Sequence, residues 1–377
     1  MKKFLLALAL LIGGQAFAAG TVLKTIGDYS YQNYLINSAM DYNHRITSTA
    51  WGTGGSTATA NVSCATGTRS MVADRWYVCR NSSTSGRMVN RAITTGELPF
   101  DALGITQVAR VGRLAGATDT ASIYMGQDIE TLNARGLRGK TVTLKFYYRM
   151  GSGFTGTTLN ATLASGTGVD ETFRGSPTGY VGSTATTLTP TTSWTIGSKT
   201  WAVPATANEA YVFLSYTPSA GASGNEDWFE ATGFMLNEGA TAAPFRLAGG
   251  TIGGELALVQ RYTYSVNPGN TDSQAVLGNG HATSTTAVLI DIPFPVTMRA
   301  TPTIDPASST FTSSFCLVEA NGDVNACSTA GSLAGNRNGP GGVQLSISKS
   351  GGTIAAGQAL TLIKNGTTKV LIFSAEL

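Results

Sequence analysis

The chain has 377 residues, of which 42% are apolar and only 12% charged, with a formal charge of +3 and 46 glycines. So apolar a chain is not intrinsically disordered, and a charged share about half the usual one is too low for long surface helices. A near-neutral chain also lacks the electrostatic footprint of a nucleic-acid binder. Thr-rich runs punctuated by Gly predict short strands and tight turns instead, in a chain long enough for two cores.

Met1-Lys2-Lys3 makes a basic start, Phe4 to Ile12 is an unbroken apolar run, and Ala16-Phe17-Ala18 places small residues where a signal peptidase reads. Residues 1–18 are therefore expected to be a secretory signal peptide, cut between Ala18 and Ala19. Removing Lys2 and Lys3 takes the charge from +3 to +1 (3 − 2). No apolar run is long enough to span a bilayer, so the mature chain is expected to be exported and soluble, without membrane contact. The cysteines suit that route: Cys64 with Cys79 and Cys316 with Cys327 form two close pairs, each expected to bridge in an oxidising compartment. Phe315 to Val318 and Val324 to Cys327 flank Asn321-Gly322, a strong hairpin signal. Counting outward from that turn sets Cys316 opposite Cys327 on one face. Cys64 and Cys79 flank the turn Ala65 to Thr68, with a looser register. A metal site is not expected, because there is no C-x-x-C and the only histidines are His44 and His281.

Along the chain, Ile123 to Leu137 holds the best helix candidate of the first domain, made short or irregular by Gly126 and Gly136. Val142, Leu144, Phe146, Tyr148 and Met150 alternate with Thr143, Lys145, Tyr147 and Arg149, which predicts a long half-buried strand. Ala210, Val212, Leu214 and Tyr216 predict a second, and Phe229, Ala231, Gly233 and Met235 a third. Gly151 to Thr158 and Gly175 to Thr187 are loops by composition. A seam falls near residue 250: Gly249 to Gly254 reads as a hinge and Glu255 to Tyr262 as a short helical linker. Beyond it the expected strands are Tyr262–Val266, Thr286–Ile292, Thr297–Ile304, Phe311–Val318, Val324–Ala326, Val343–Ser348 and Lys369–Ala375. The chain is all-β, a sandwich at 19–250 followed by a smaller β-rich part at 251–377.

Several motifs then appear in order: Asn33-Tyr34-Leu35-Ile36-Asn37 with Asp41-Tyr42, Ala73-Asp74-Arg75-Trp76, Asn237-Glu238-Gly239, Ala243-Pro244-Phe245, Glu255-Leu256 with Gln260-Arg261-Tyr262, Arg299-Ala300-Thr301-Pro302, and the closing Ala375-Glu376-Leu377. In these the chain resembles a family of bacteriophage virion proteins, described as tail fibre or capsid-associated proteins, over nearly its whole mature length. The resemblance implies a jelly-roll first domain similar to carbohydrate-binding modules, a β-rich tip domain, glycan or host attachment at the virion surface, and a homotrimer. The chain departs from the family pattern at Asn43-His44-Arg45, at Val259 where cysteine is common, and in carrying a signal peptide.

No catalytic constellation emerges. His44 and His281 read as solvated loop residues, and the carboxylate pairs Asp170/Glu171 and Glu226/Asp227 as surface groups. Calcium is the one candidate cofactor, with Asp227 and Glu230 as possible oxygen ligands. Sugar binding calls for exposed rings flanked by polar groups. Tyr147, Arg149 and Trp228 are the candidates, with Trp76 and Trp201 assigned to the core, Trp51 to a loop, and Asp74-Arg75 to a structural pair. The leading expectation is a non-enzymatic phage virion surface protein that binds a surface glycan. A secreted bacterial lectin or adhesin is the alternative, and a polysaccharide-degrading enzyme would require two carboxylates converging in one cleft.

Overall fold

A computed structural model describes residues 32–45, 59–60, 70–80, 85–94, 96–97, 104–266, 272, 274–304, 315–319, 331–349, 354–365 and 371–376. The signal peptide, Trp51, Cys64, Cys327, the Asn321-Gly322 turn and the strand expected at Val324–Ala326 lie outside these residues. Cys79 and Cys316 are each disulfide-bonded.

The first part is a sandwich of two antiparallel sheets. Sheet 1 runs β1 (Thr59–Ala60), β4 (Gly86–Ala92), β5 (Gln107–Arg113), β13 (Trp228–Glu238), β7 (Thr141–Met150), β11 (Thr195–Ala202). Sheet 2 runs β10 (Thr186–Leu188), β8 (Leu159–Gly166), β12 (Glu209–Tyr216), β6 (Ile123–Ile129), β3 (Trp76–Arg80), β2 (Ser70–Ala73), with β9 (Val181–Gly182) also on β8. Period-2 alternation produces the core: Val142, Leu144, Phe146, Tyr148 and Met150 of β7 face Ala210, Val212, Leu214 and Tyr216 of β12 around the fully buried Trp76. Trp201 packs partly buried against the same cluster.

Two sequence expectations are corrected here. The helix within Ile123 to Leu137 is short, α1 (Thr131–Ala134) followed by a 3-10 turn, and residues Ile123–Ile129 before it are not helical but strand β6. Ile123, Met125 and Ile129 are an inward period-2 set, and Gly126 sits outward where a Cβ would meet the Val212 carbonyl at 2.5 Å and Tyr77 Oη at 2.8 Å. In β13 the parity predicted from Phe229 and Ala231 breaks at a bulge. Gly233 takes φ +64, the register to β7 shifts between Thr232 and Met235, and Phe234 and Leu236 enter the core in place of Gly233 and Met235.

The second part holds β14 (Thr263–Val266), β22 (Leu371–Ser374) and β17 (Thr303–Ile304) in one sheet. The other sheet runs β18 (Phe315–Glu319), β21 (Ala359–Lys364), β15 (Val276–Ala282), β16 (Ala287–Pro293), β20 (Gly342–Lys349), β19 (Gly331–Gly339). Its apolar cluster is separate from that of the sandwich. The strand expected over Thr297–Ile304 shrinks to two residues, and His281, read as a solvated loop residue, is exposed but lies in strand β15.

The expected hinge at Gly249 to Gly254 is also corrected, because helix α2 (Ile252–Gln260) begins inside it. Thr251 Oγ1 accepts from the Gly254 N–H at 3.1 Å, an N-cap. The Glu255 carboxylate then accepts from the N–H groups of Asn37 at 2.5 Å and Gly249 at 2.7 Å, which ties the helix back to the turn at residues 36–39. Val259 and Tyr262 pack on Ile36.

Ions complete the contact between the two parts. Arg75 donates to Glu376 and lies 3.7 Å from the Tyr262 ring centroid; Arg261 reaches Glu130 at 3.0 Å and Arg299 reaches Asp170 at 3.0 Å. Arg45 donates to Asp74 and to Ser374 Oγ. His44 is corrected from a solvated loop residue: its Nδ1 is 2.5 Å from Asp74 Oδ2, with its side chain 9% exposed. Burial acts to raise the Glu376 carboxyl, but the charges of Arg75 and Arg45 outweigh it and hold the group below the usual carboxylate range.

Candidate functional site

The sandwich has two outer faces, and their chemistry differs. On sheet 1, Arg110, Glu230 and Arg149 stand side by side across β5, β13 and β7. Glu230 is fully buried and accepts from Arg91 Nε at 2.5 Å, Arg110 Nε at 2.7 Å and Arg149 Nε at 2.7 Å. Burial acts to raise its carboxyl, yet the bonds and charges of the three arginines hold it below its ordinary value. Arg91 and Arg149 also reach Glu97 at 3.3 and 3.2 Å.

Tyr147 and Arg149 lie on this face, as alternation required, and Trp228 of β13 joins them there. The exposure expected of the two rings is corrected, because Tyr147 is 6% and Trp228 5% exposed. Tyr147 lies under Ala39 and Ile105, and the Arg110 guanidinium sits 4.0 Å from the Trp228 ring centroid. Arg149 covers Trp194 in the same way at 4.8 Å. A sugar stacking on either tryptophan would first have to displace a guanidinium.

The calcium pairing also fails on parity. Asp227 and Glu230 are three residues apart at the start of a strand, so their side chains take opposite faces. Asp227 turns inward, where Arg113 Nε donates to it at 2.6 Å, and the N–H and Oγ1 of Thr155 each do so at 2.9 Å. Among the described residues no three His, Cys, Asp or Glu side chains converge as a metal site would need.

The outer face of sheet 2 carries rings. Tyr77, Gly126, Phe213 and Thr162 are in register across β3, β6, β12 and β8. The loop from β8 to β9 lays Phe173 on Phe213, centroids 4.1 Å apart and planes 25° apart. Phe173 also meets Tyr211 at 5.9 Å, Tyr124 at 6.4 Å and Tyr180 at 5.8 Å. The rings thus run without a break from the fully buried Tyr211 to Tyr180, which is 45% exposed, as is its chain neighbour Val181.

Polar groups hold that loop in place. Glu171 accepts from the Thr178 N–H at 2.6 Å and Thr178 Oγ1 at 3.0 Å, while its own N–H donates to Glu209 Oε2 at 2.7 Å. Asp170 and Thr131 exchange bonds at 2.9 and 3.0 Å. Burial pushes the Glu209 carboxyl above the usual range, whereas the bonds from Thr178 hold Glu171 below it. The two carboxyl groups are themselves in hydrogen-bond contact. That is closer than the about 5 Å of a retaining glycosidase pair, so they do not face each other across a substrate gap.

Sequence reasoning passed over this face because it credited β12 with one apolar side. Glu209 to Tyr216 is apolar at both parities, with Ala210, Val212 and Leu214 inward and Tyr211 and Phe213 outward. A strand apolar on both sides signals a second covered face.

No protein-family model matches the chain, and no curated protein matches it in sequence. Among solved structures, the enzymatically active domain of bacteriophage CBA120 tailspike protein 4 aligns at 11% identity and TM-score 0.29, over 48% of this chain and only 21% of that one. The C-terminal family 22 carbohydrate binding module of Clostridium thermocellum Xyn10B aligns at 13% identity and TM-score 0.29, over 50% and 99% of the two chains. A family 16 carbohydrate binding module aligns at 16% identity and TM-score 0.23, over 35% and 76%. At these scores the architecture rests on the strand pairing described above.

Proposed function

We propose that this chain is a non-enzymatic, glycan-binding surface protein of a bacteriophage virion. The observation that carries the glycan reading is the unbroken ring row on sheet 2, which ends in the exposed Tyr180 with carboxylates and hydroxyls beside it. Sugars are held by ring faces against their C–H surfaces and by polar groups that fix orientation, and this face offers both. The virion reading rests on the ordered motifs from Asn33 to Leu377. In it the chain is exported, loses residues 1–18, closes the bridges Cys64–Cys79 and Cys316–Cys327, and assembles as a homotrimer on a virion attachment partner. A secreted bacterial lectin or adhesin using the same face is the second reading, favoured by the signal peptide.

The test is a glycan array with the wild-type chain and with Tyr180→Ala, Phe173→Ala and Arg149→Ala. Hits lost in the first two variants and kept in the third support the ring face. Hits lost only in Arg149→Ala move the site to sheet 1, and an empty array ends the glycan reading. Peptide mass spectrometry of purified virions, without reduction, separates virion from secreted protein.

A further inference from the structure

We infer that the second part of the chain positions the loop between β8 and β9, which carries Phe173 and Tyr180, and that Arg261 and Arg299 are its positioning residues. The consequence for binding rests on the glycan reading above: the ring face belongs to both parts together, not to the sandwich alone.

The loop leaves β8 by way of Asp170, whose φ is +53, and turns toward β9 at Ser176, whose φ is +61. Left-handed backbone is unfavourable for residues with a side chain, so each of these turns has to be held by its surroundings. Asp170 is held at three points. Its N–H donates to Thr131 Oγ1 at 3.0 Å, its Oδ1 accepts from the Thr131 N–H at 2.9 Å, and its Oδ2 accepts from Arg299 at 3.0 Å. The first two points lie in the sandwich and the third in the second part. The far end of the loop is closed within the sandwich, where Glu171 accepts from Thr178 and donates its N–H to Glu209.

The two arginines form one bracket. The Arg299 N–H donates to the Arg261 carbonyl at 2.7 Å, and Met298 before it is buried in the apolar cluster of the second part. Arg261 reaches Glu130 at 3.0 Å, directly before Thr131. All three nitrogens of the Arg299 guanidinium are engaged: Nη1 on Asp170, Nε on the Ala375 carbonyl at 3.0 Å and Nη2 on the Glu376 carbonyl at 3.3 Å. Arg75 extends the contact, since it donates to Glu376 and to the carbonyl of Asp128, whose carboxylate accepts from the Phe173 N–H at 3.5 Å. An isolated ion pair with side chains 16% and 32% exposed would contribute little. Here both partners are already fixed by other bonds, so little side-chain entropy is left to lose when the pair forms.

The experiment is hydrogen exchange read by mass spectrometry on the full chain and on Arg299→Ala, Arg261→Ala, the double variant and Arg299→Lys, with Lys140→Ala as control. Exchange of residues 167–180 should rise about fivefold in Arg299→Ala and further in the double variant, with β7, β12 and the control at wild-type rates. Arg299→Lys, which keeps the charge on Asp170, should recover part of the protection. Unchanged loop exchange in the double variant overturns the inference, and so does an equal rise across the whole sandwich, the mark of a general loss of stability. On the glycan array, hits that Tyr180→Ala removes should also weaken in the double variant, and hits at full strength beside a loosened loop overturn the coupling. An empty wild-type array ends the glycan reading alone, because the exchange rates still decide whether the second part positions the loop.

Discussion

The two outer faces of the sandwich are built on strands of the same kind but closed in opposite ways. Sheet 1 is closed by ions: three arginines converge on the buried Glu230, and guanidinium groups cover Trp228 and Trp194. Sheet 2 is closed by rings, with Phe173 laid over Phe213 and the row running out to the half-exposed Tyr180. An ion lock is directional, so it fixes the strands and leaves no ring face for a visitor. A ring row is sequence-tolerant packing whose last member can stack on a ligand as readily as on a neighbour. The comparison teaches that an outward parity does not make a ring available: on sheet 1 guanidinium groups already occupy both tryptophans.

Breaking the ion lock should have the largest effect. Glu230→Ala leaves three guanidiniums facing one another in a buried site and should cost about 3–5 kcal/mol in urea unfolding, while the folded fraction keeps its glycan affinity. On the opposite face, Gly126→Ala pushes a methyl group into the Val212 carbonyl and the Tyr77 hydroxyl, and about 1–3 kcal/mol should be lost by the same measurement. Tyr180→Ala should cost about 1 kcal/mol of glycan affinity, roughly fivefold, with no change in unfolding midpoint.

Acid should separate the faces further, because their buried carboxyls shift in opposite directions. Glu230 is held below its ordinary value, so its stabilisation is complete above the unfolded value of about 4.3 and is lost as pH falls through the folded one. Glu376, also lowered, adds to the same acid limb at the contact between the two parts. Glu209 is raised, so its contribution is present at low pH and disappears as pH rises through its folded value. Thermal melts should show Glu230→Gln weakening the acid-side fall, and Glu209→Gln flattening the change just above the ordinary carboxylate range. The smallest effect belongs to the Lys140–Glu238 pair, whose side chains are 46% and 40% exposed. Lys140→Ala should stay within about 0.5 kcal/mol, a baseline for the buried ions.

Much of the architecture was legible from alternation. The inward sets of β7 and β12, the place of Trp76, the helix after residue 250 and the all-β class follow from residue order, because a strand's two faces can be read directly off its parity. The misses share a cause. Gly233 reversed the parity of β13 through a positive φ, and Gly126 sat in a strand because two neighbouring strands pressed on it. A bulge or a close approach is a property of the partner strands, which residue order does not name.

The candidate site divides the same way. Parity alone placed Tyr147 and Arg149 on one outer face; that Trp228 joins them there followed only from the pairing of β13 with β7. It could not show that Arg110 from β5 would cover that tryptophan, nor that Phe173, from a loop read only as Gly- and Thr-rich, would lie on Phe213. Those contacts join residues far apart along the chain, and they exist only once the sheets have paired. Sequence by itself determined which side chains leave the core; tertiary structure decided which of them are spent on one another and which remain for a ligand, because burial and charge partnership are set by neighbours in space.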